Sequence, residues 1–402
     1  MVNTLKWLWL STMHGITPQK ISYLLSVYGG IDRIYECSDY SALRMSIADK
    51  DNLLNKSLDS AKTVYHEVCS CGAYILTYDS PYFPQILRGL PDSPYVLYMK
   101  GTPANLNDIF GIGVVGTRNN TKYGEVCASD ISYGLGKQGI TVISGMAMGI
   151  DCISMHAALR AGAKTIGVLG CGIDIIYPAK NQWLFDEVFN TDGLVISEYP
   201  PGTAATKYTF PQRNRIIAGL SRGVLVIEGS ARSGSLITAR YAKQYNRSVF
   251  AVPRNIGDTD TSGKPLDGTN YLIKQGARLV TDANDIITYY GKYLRSIRPS
   301  VRNNNIPDYV DIAKAPIKKQ THTQKSKTTS RLADNAITAL MERADGDTEL
   351  SVIQLLAERE LYPDEIVQTL DKDASEMNCV LLVMETKALI KKQPDGRYEL
   401  NK

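Results

Sequence analysis

The sequence lacks any run of about eighteen apolar residues, the length that a membrane-crossing helix needs. Its apolar stretch at the N-terminus is short, and no small-residue cleavage site follows that stretch. These absences argue against secretion and against a membrane partner. We therefore expect a soluble, cytoplasmic protein.

Histidine is scarce, with four residues in 402, and the seven cysteines form neither a CxxC pair nor a cluster with histidine at zinc spacing. The cysteines are therefore predicted to be small side chains in a reducing compartment, and we expect no metal site. A G-x-x-x-x-G-K-[ST] loop is also missing, so the sequence gives no support for ATP hydrolysis of the P-loop type. We expect no cofactor.

The apolar content is sufficient for a sizeable core, since 44% of the 402 residues are hydrophobic. A chain of this length is typical of two or three domains. The net charge of +4 is compatible with a polyanionic partner but is weak evidence for one.

Residues 1–71 predict a small helical domain. The stretch HGITPQKISYLLSVYGGIDRIYE contains a Gly-x-x-Pro turn, then apolar residues at helical spacing, and then Gly29-Gly30. Two short helices joined by a tight turn, the second of them ended by glycine, explain this order. The arrangement resembles a SAM-like or helix-hairpin-helix bundle.

Residues 72–290 have a different character, because short apolar runs end in glycine, serine or proline and most are followed by a helical pattern. The runs are FGIGVVG, ITVISG, TIGVLG, LVISEY, RGVLVIEG and SVFAVP. Strands that alternate with helices predict an α/β domain, with a Rossmann-like parallel sheet and helices on both faces.

Residues 291–332 predict a basic, flexible linker. They lack apolar periodicity, and ten basic but only two acidic residues lie between positions 291 and 331. Residues 333–402 predict three helices, in DNAITALMERA, YPDEIVQTL and DASEMNCVLLVMETKAL, and a hairpin that turns at 394–396. This is the outline of a winged helix.

The charge of the predicted winged helix is acidic, with eight basic and fifteen acidic residues between positions 332 and 402. Its third helix would read a DNA groove in a DNA-binding protein, yet it holds Asp373, Glu376 and Glu385 against Lys387. A groove-reading helix needs cations against phosphate. We therefore interpret this domain as a protein-contact module.

Three glycines, Gly111, Gly113 and Gly116, match the spacing of a dinucleotide-binding loop. In such a loop the glycines follow the strand, whereas here apolar residues alternate with the first two. We therefore place Gly111 and Gly113 inside the strand, where glycine marks close approach of a neighbour. The next strand also ends in Ser144-Gly145, where a ribose-binding carboxylate is expected. NAD or FAD is disfavoured.

Polar and small residues recur where the predicted strands end. Because parallel strands end at one edge of a sheet, and ligands bind outside that edge, these residues predict a phosphate-binding surface. The candidate residues are Gly116, Thr117, Arg118, Ser144, Gly145, Lys180, Arg213, Asn214, Arg215, Arg232, Ser233, Gly234 and Ser235.

Four long motifs in this region carry a family resemblance. They are GVVGTRNNTKYG, ISGMAMGID, the stretch from SEYPPGT through RSGSLITARYA, and GTNYLIKQGARLV. Over roughly residues 75–290 the chain resembles the DprA (Smf) family of DNA-processing proteins. The resemblance implies a non-enzymatic homodimer that binds and protects single-stranded DNA and loads RecA recombinase during natural transformation.

The resemblance also implies roles for particular residues. Arg118 matches the arginine of the family's G-[ST]-R loop, which contacts the strand. Lys180 falls one position from the lysine that contributes in some members. Ile273 and Leu279 match the apolar pair of the family's dimer face, although a core role suits both equally well.

Aromatic side chains near the same strand ends are candidates for stacking on bases, and they are Tyr177, Trp183, Tyr208 and Phe210. Tyr208 and Phe210, in a polar stretch beside QRNR, are the better candidates. If Arg118, Lys180, Arg213 and Arg215 each neutralise a phosphate, the slope of log K against log salt should be about −3.

Two other functions remain open. The first is a nucleotide-processing enzyme, a Rossmann-like phosphoribohydrolase of the lysine-decarboxylase-like group, although the P-G-G-x-G-T loop of that group is missing. Asp151 and Glu228 could form a catalytic carboxylate pair if their loops meet, but we expect Asp151 to cap a helix or to orient Arg118. His156, on a helix among apolar residues, is expected to be structural. The remaining alternative is an adaptor in which the acidic C-terminal domain has the main role.

Overall fold

The computed structural model of the chain describes residues 2–102, 104–291 and 347–401, with the exception of 359, 371–376, 378, 379, 382, 386, 388 and 394–396. The chain divides into two compact units, residues 1–317 and 318–402. Each unit is described by itself.

A nine-stranded sheet forms the centre of the first unit. Its strands are β1 (Tyr74–Thr77), β2 (Val96–Gly101), β3 (Gly111–Val115), β4 (Thr141–Ser144), β5 (Thr165–Leu169), β6 (Leu194–Ser197), β7 (Gly223–Val226), β8 (Ser248–Ala251) and β9 (Arg278–Leu279). Their order across the sheet is β1-β2-β6-β5-β4-β3-β7-β8-β9. Neighbours from β6 to β9 run parallel, whereas β2 is antiparallel to both β1 and β6.

The strand order reverses between β3 and β7, as in a doubly wound sheet. The helices along this part of the chain are α6 (Lys122–Lys137), α7 (Ile150–Arg160), α8 (Gln182–Asn190), α9 (Thr209–Leu220), α10 (Gly234–Gln244), α11 (Gly268–Lys274) and α12 (Ala283–Tyr289). They cover both faces of the sheet. Successive residues of a strand point to opposite faces, so neighbouring residues of one strand pack against different helices. Leu225 of β7 lies in one buried cluster with Ile131 of α6, and Val224 lies in the other with Ile217 of α9.

The six apolar runs predicted to be strands form β3 to β8, so that part of the fold prediction is confirmed. The predicted position of the glycines inside β3 is also confirmed. A Cβ atom on Gly111 would lie 2.4 Å from Ile143 Cδ1, and one on Gly113 would lie 2.9 Å from Ser221 Oγ. These glycines therefore allow close packing of the sheet and do not form a nucleotide loop.

Five helices precede the sheet, namely α1 (Val2–Thr12), α2 (Pro18–Tyr28), α3 (Ile31–Glu36), α4 (Ile47–Leu54) and α5 (Asp59–Ser70). Helix α2 has the predicted ends, because the Thr17 side chain accepts a hydrogen bond from Lys20 N and Gly29 adopts a left-handed φ of 79°. Likeness to a SAM or helix-hairpin-helix domain stays a prediction.

These helices share a core with the sheet. The ring of Trp7 in α1 stacks on Tyr95, just before β2, with 5.9 Å between ring centroids, and lies 6.1 Å from the ring of Tyr78. The predicted domain boundary at residue 71 therefore crosses a continuous buried cluster.

The second unit contains α13 (Asp347–Glu358), α14 (Pro363–Leu370) and an antiparallel pair, β10 (Ile390–Lys392) and β11 (Tyr398–Leu400). The sequence did not predict α13, whose apolar side chains Val352, Ile353 and Leu356 are buried at helical spacing. The first predicted helix and the hairpin turn at 394–396 lie outside the described residues, so the winged helix stays a prediction.

Among the residues that the structure describes, no helix combines the length and the apolar composition that crossing a bilayer demands. The same residues hold no group of three or more histidine, cysteine, aspartate or glutamate side chains that could bind a metal ion.

Candidate nucleic-acid interface

The loops after β3, β4 and β5 meet at the carboxyl edge of the sheet, beside the start of α9. They enclose a cavity of about 140 Å³, which we call the Arg118 pocket. Its lining residues are Arg118, Gly145, Ala147, Met148, Tyr177, Pro178, Phe210 and Arg213. Segments that lie at separate strand ends in the sequence, except the loop after β7, therefore converge on one pocket.

Arg118 and two aromatic rings form the accessible part of this pocket. The Arg118 side chain is exposed, and its Cζ lies 5.3 Å from the centroid of the Phe210 ring, within the range of a cation–π contact. The Tyr177 ring is partly exposed and lies 5.3 Å from Phe210. A planar cation and aromatic faces therefore stand side by side, together with the exposed side chain of Met148.

Arg213 forms the buried base of the pocket, with only 4% of its surface exposed. Its Nη1 donates to Gly145 O at 2.7 Å and also to Val168 O. The expectation that Arg213 is an exposed phosphate ligand is therefore wrong, because its guanidinium is committed to carbonyls at the ends of β4 and β5. Its Nε has no hydrogen-bond partner among the described residues.

Asp151 is the charge partner of this buried arginine. Its carboxylate is buried near the start of α7 and accepts a hydrogen bond from Gly145 N at 3.1 Å. Burial raises the pKa of Asp151 and lowers the pKa of Arg213, and the opposite charge of each group counters the shift of the other. The two groups hold the Gly145 backbone between them, which is a structural role.

Arg215 is likewise unavailable as a phosphate ligand. It is buried, and its Nη2 donates to both carboxylate oxygens of Glu198 at 2.5 Å. Both arginines of QRNR, which the sequence suggested as phosphate ligands, are therefore buried and bonded within the protein. Asn214, between them, donates from Nδ2 to Gly234 O at 3.1 Å and so connects α9 to the first residue of α10.

The small polar residues at the ends of β3 and β4 are used within the protein. Ser144 is buried and its Oγ donates to Val114 O at 2.6 Å, so the predicted phosphate contact by this hydroxyl is wrong for this conformation. Thr117 Oγ1 accepts from Asn119 N at 3.2 Å. Gly116 packs closely on Ile150, since a Cβ atom at Gly116 would lie 2.5 Å from that side chain.

The loop after β7 carries the other predicted phosphate ligands. Arg232 and Gly234 are exposed, whereas Ser235 is buried and shares a hydrogen bond of 2.7 Å with the hydroxyl of Ser233. These residues do not line the Arg118 pocket. Arg232 is the residue of this loop whose charge remains available to a ligand.

The profile of the family described as DNA recombination-mediator protein A matches residues 74–291. The chain belongs to that family. Protein Smf of Synechocystis sp. is 35% identical over 337 residues, covering 81% of this chain and 79% of that protein. DNA processing protein DprA of Streptococcus pneumoniae is 42% identical over 208 residues, covering 52% of this chain and 71% of that protein.

The X-ray structure of DNA processing protein A from Streptococcus pneumoniae is similar to the structure of this chain, with a TM-score of 0.61 at 33% identity. The similarity covers 71% of this chain and 97% of that chain. The resemblance found from the motifs is therefore confirmed.

Two exposed lysines, Lys180 and Lys207, lie close in sequence to residues that line the pocket of this chain. Lys180 follows Tyr177 and Pro178 in a short 3₁₀ turn, Ala179–Asn181, and Asn181 anchors that turn by donating to Met146 O at 2.9 Å. Lys207 precedes Phe210 and lies 5.1 Å over the ring of Tyr208, which is 70% exposed. Sequence reasoning missed Lys207, although its place three residues before Phe210 was a usable signal.

The other candidates lie elsewhere. Trp183 is half-buried and packs edge-on against His156 at 5.3 Å, and His156 Nδ1 lies 2.8 Å from Glu187 Oε2. Neither residue lines the pocket. Asp151 and Glu228 are both buried and are bonded to different groups, so the suggested carboxylate pair is not formed.

Proposed function

We propose that this protein binds single-stranded DNA at the Arg118 pocket and does not cleave it. One observation carries the proposal, namely the exposed Arg118 guanidinium over Phe210, beside the ring of Tyr177. Proteins that bind single strands combine cations that follow the backbone with aromatic faces on which bases stack. The pocket offers both within one cavity.

The arrangement favours single strands over duplexes. In a duplex the bases are stacked on each other, so their faces are not available to Tyr177 or Phe210. The phosphates of a flexible strand, in contrast, can reach Arg118 while a base approaches the rings. Exposed Lys180 and Lys207, on the segments that contribute Pro178 and Phe210 to the pocket, supply further positive charge for the phosphates of such a strand.

We expect the chain to bind an oligo-dT strand more tightly than a duplex of the same length, with strong dependence on salt. Of the predicted and added cations on the segments that form the pocket, Arg118, Lys180 and Lys207 remain for phosphate, since Arg213 and Arg215 are buried. The slope of log K against log salt should therefore be about −2, from roughly −0.7 per phosphate. Fluorescence anisotropy across a salt series measures both quantities. Equal affinity for duplex, or a slope near zero, would contradict the proposal.

We further propose a homodimer that forms at the β9 edge of the sheet. Leu279 in β9 is 51% exposed, and an edge strand offers unpaired backbone groups to a second copy. Ile273 in α11 is half-buried and packs on the core, so Leu279 supports the dimer face more directly.

A Leu279→Glu substitution is expected to give monomers, because it replaces the exposed apolar side chain of the edge strand with a charge. Light scattering of the full chain measures the mass. Val27→Glu is the matched control, since Val27 in α2 is 50% exposed and lies outside this face. If the Leu279→Glu variant is still a dimer, Leu279 does not belong to the interface.

We also propose that the bound strand is protected and passed to RecA recombinase, as the family description of a recombination mediator supports. RecA should then assemble sooner on single-stranded DNA when this protein is present. The DNA-dependent ATPase activity of RecA reports assembly. An unchanged lag at saturating protein would exclude the transfer.

A further inference from the structure

A buried ion pair lies where the strand order reverses, between the ends of β3 and β7. Glu228 follows β7 and is 0% exposed. Its carboxylate accepts from Thr121 Oγ1 at 2.5 Å and from Thr121 N at 3.0 Å. Arg254, beyond β8, donates to the same carboxylate from Nη1.

This group fills the crevice in which doubly wound proteins bind ligands. The first turn of α6 closes on the carboxylate, since a Cβ atom on Gly124 would lie 2.1 Å from Glu228 Cδ. The Arg254 side chain is 4% exposed, and its Nη2 lies 3.1 Å from Asp258. Glu228 and Arg254 therefore bond to groups of the protein itself, and the segment that they hold in place is the start of α6.

The segment from Gly116 to Thr121, which we call the Arg118 loop, is fixed at both ends. At its C-terminal end, Thr121 caps α6 by accepting from Gly124 N at 3.1 Å, and Arg254 Nη1 donates to Thr121 Oγ1 at 3.2 Å. At its N-terminal end, Thr117 O accepts from Ile150 N at 3.2 Å. The exposed Arg118 stands between these two attachments.

We propose that Glu228 and Arg254 are positioning residues, which hold Thr121 so that Arg118 stays over Phe210 and ready to receive a phosphate. This inference deepens the proposed function and rests on it. A side chain held in its binding geometry loses less conformational freedom when the ligand arrives. Releasing Thr121 from the ion pair lets Arg118 leave Phe210 and weakens binding through that arginine alone.

Thr121→Val tests the inference, because valine keeps the shape of threonine and removes the hydroxyl that Glu228 and Arg254 bind and that caps α6. We expect affinity for oligo-dT to fall about fivefold, corresponding to the ordering cost of one long side chain. Thr121→Ser restores the hydroxyl and should recover most of that loss. Glu228→Gln removes the negative charge of the ion pair, and its affinity for oligo-dT is compared with that of the parent in the same way. The melting temperature is recorded for each full-length variant.

A double-mutant cycle with Arg118→Ala separates positioning from a general structural effect. If Thr121 acts through Arg118, Thr121→Val should cause no further loss once Arg118 is alanine. An equal loss in both backgrounds, or no loss in a folded Thr121→Val protein, overturns the positioning role. If Arg118→Ala alone binds like the parent, the positioning role is overturned and the binding site itself is misplaced. If Arg118→Ala weakens binding but the effects add, only the positioning role fails.

Discussion

Replacing Arg118 with alanine is expected to weaken binding of an oligo-dT strand about thirtyfold and to leave the melting temperature unchanged. A hydrogen bond to a charged group contributes about 2 kcal/mol, and each 1.4 kcal/mol is about a factor of ten in affinity. Because the side chain is exposed and contacts Phe210 from outside the core, its removal opens no cavity. The salt slope should also become less negative by roughly 0.7.

Two further variants make this result specific. Arg222 is an exposed arginine that directly precedes β7, so it lies at the opposite edge of the sheet, and Arg222→Ala should bind like the parent. Arg118→Lys keeps the charge but loses the planar fork and the stacking on Phe210, so it should bind with intermediate affinity. Equal losses for Arg118→Ala and Arg222→Ala would mean that net charge, and not this pocket, governs binding.

Replacing Arg213 with methionine is expected to lower the free energy of unfolding by about 3 kcal/mol, because it leaves the Asp151 carboxylate buried without its opposite charge. The carbonyls of Gly145 and Val168 also lose their donor. Denaturant unfolding of the full chain, followed by intrinsic fluorescence, measures the change.

The double variant Arg213→Met with Asp151→Asn should lose less than the sum of the two single losses, because it removes both buried charges together. DNA binding measured under folded conditions decides between two roles for Arg213. A variant with parental stability but without DNA binding would restore Arg213 as a direct phosphate ligand, as the sequence had indicated.

The burial of Arg213 and Arg215 shows which features could be predicted from the sequence and which could not. Apolar runs ending in glycine or serine predicted β3 to β8 and their common edge, because alternation of strands and helices depends on local pattern. Burial of Arg213 and Arg215 depends on groups more than fifteen residues away, such as Glu198 and the carbonyl of Val168. A basic motif alone does not say which of its members face solvent.

The residues of the pocket were also predicted only in part. Arg118 and the two better aromatic candidates came from motifs at strand ends, and Arg118 and Phe210 do meet. Lys207 was overlooked because two arginines in QRNR carried the argument for charge. The ion pair of Glu228 and Arg254 joins the segments that follow β7 and β8, so it can be recognised only when the sheet is assembled.

Sealing of the crevice between β3 and β7 has a consequence for selectivity among cellular metabolites. Doubly wound proteins bind dinucleotides at that position, and here Glu228, Gly124 and Arg254 already occupy the space. A polymer can instead add small gains from successive repeating units along an open edge. The proposed function therefore predicts that a polynucleotide is preferred over free nucleotides, because the packing around the Glu228 carboxylate leaves no space for a nucleotide in this crevice.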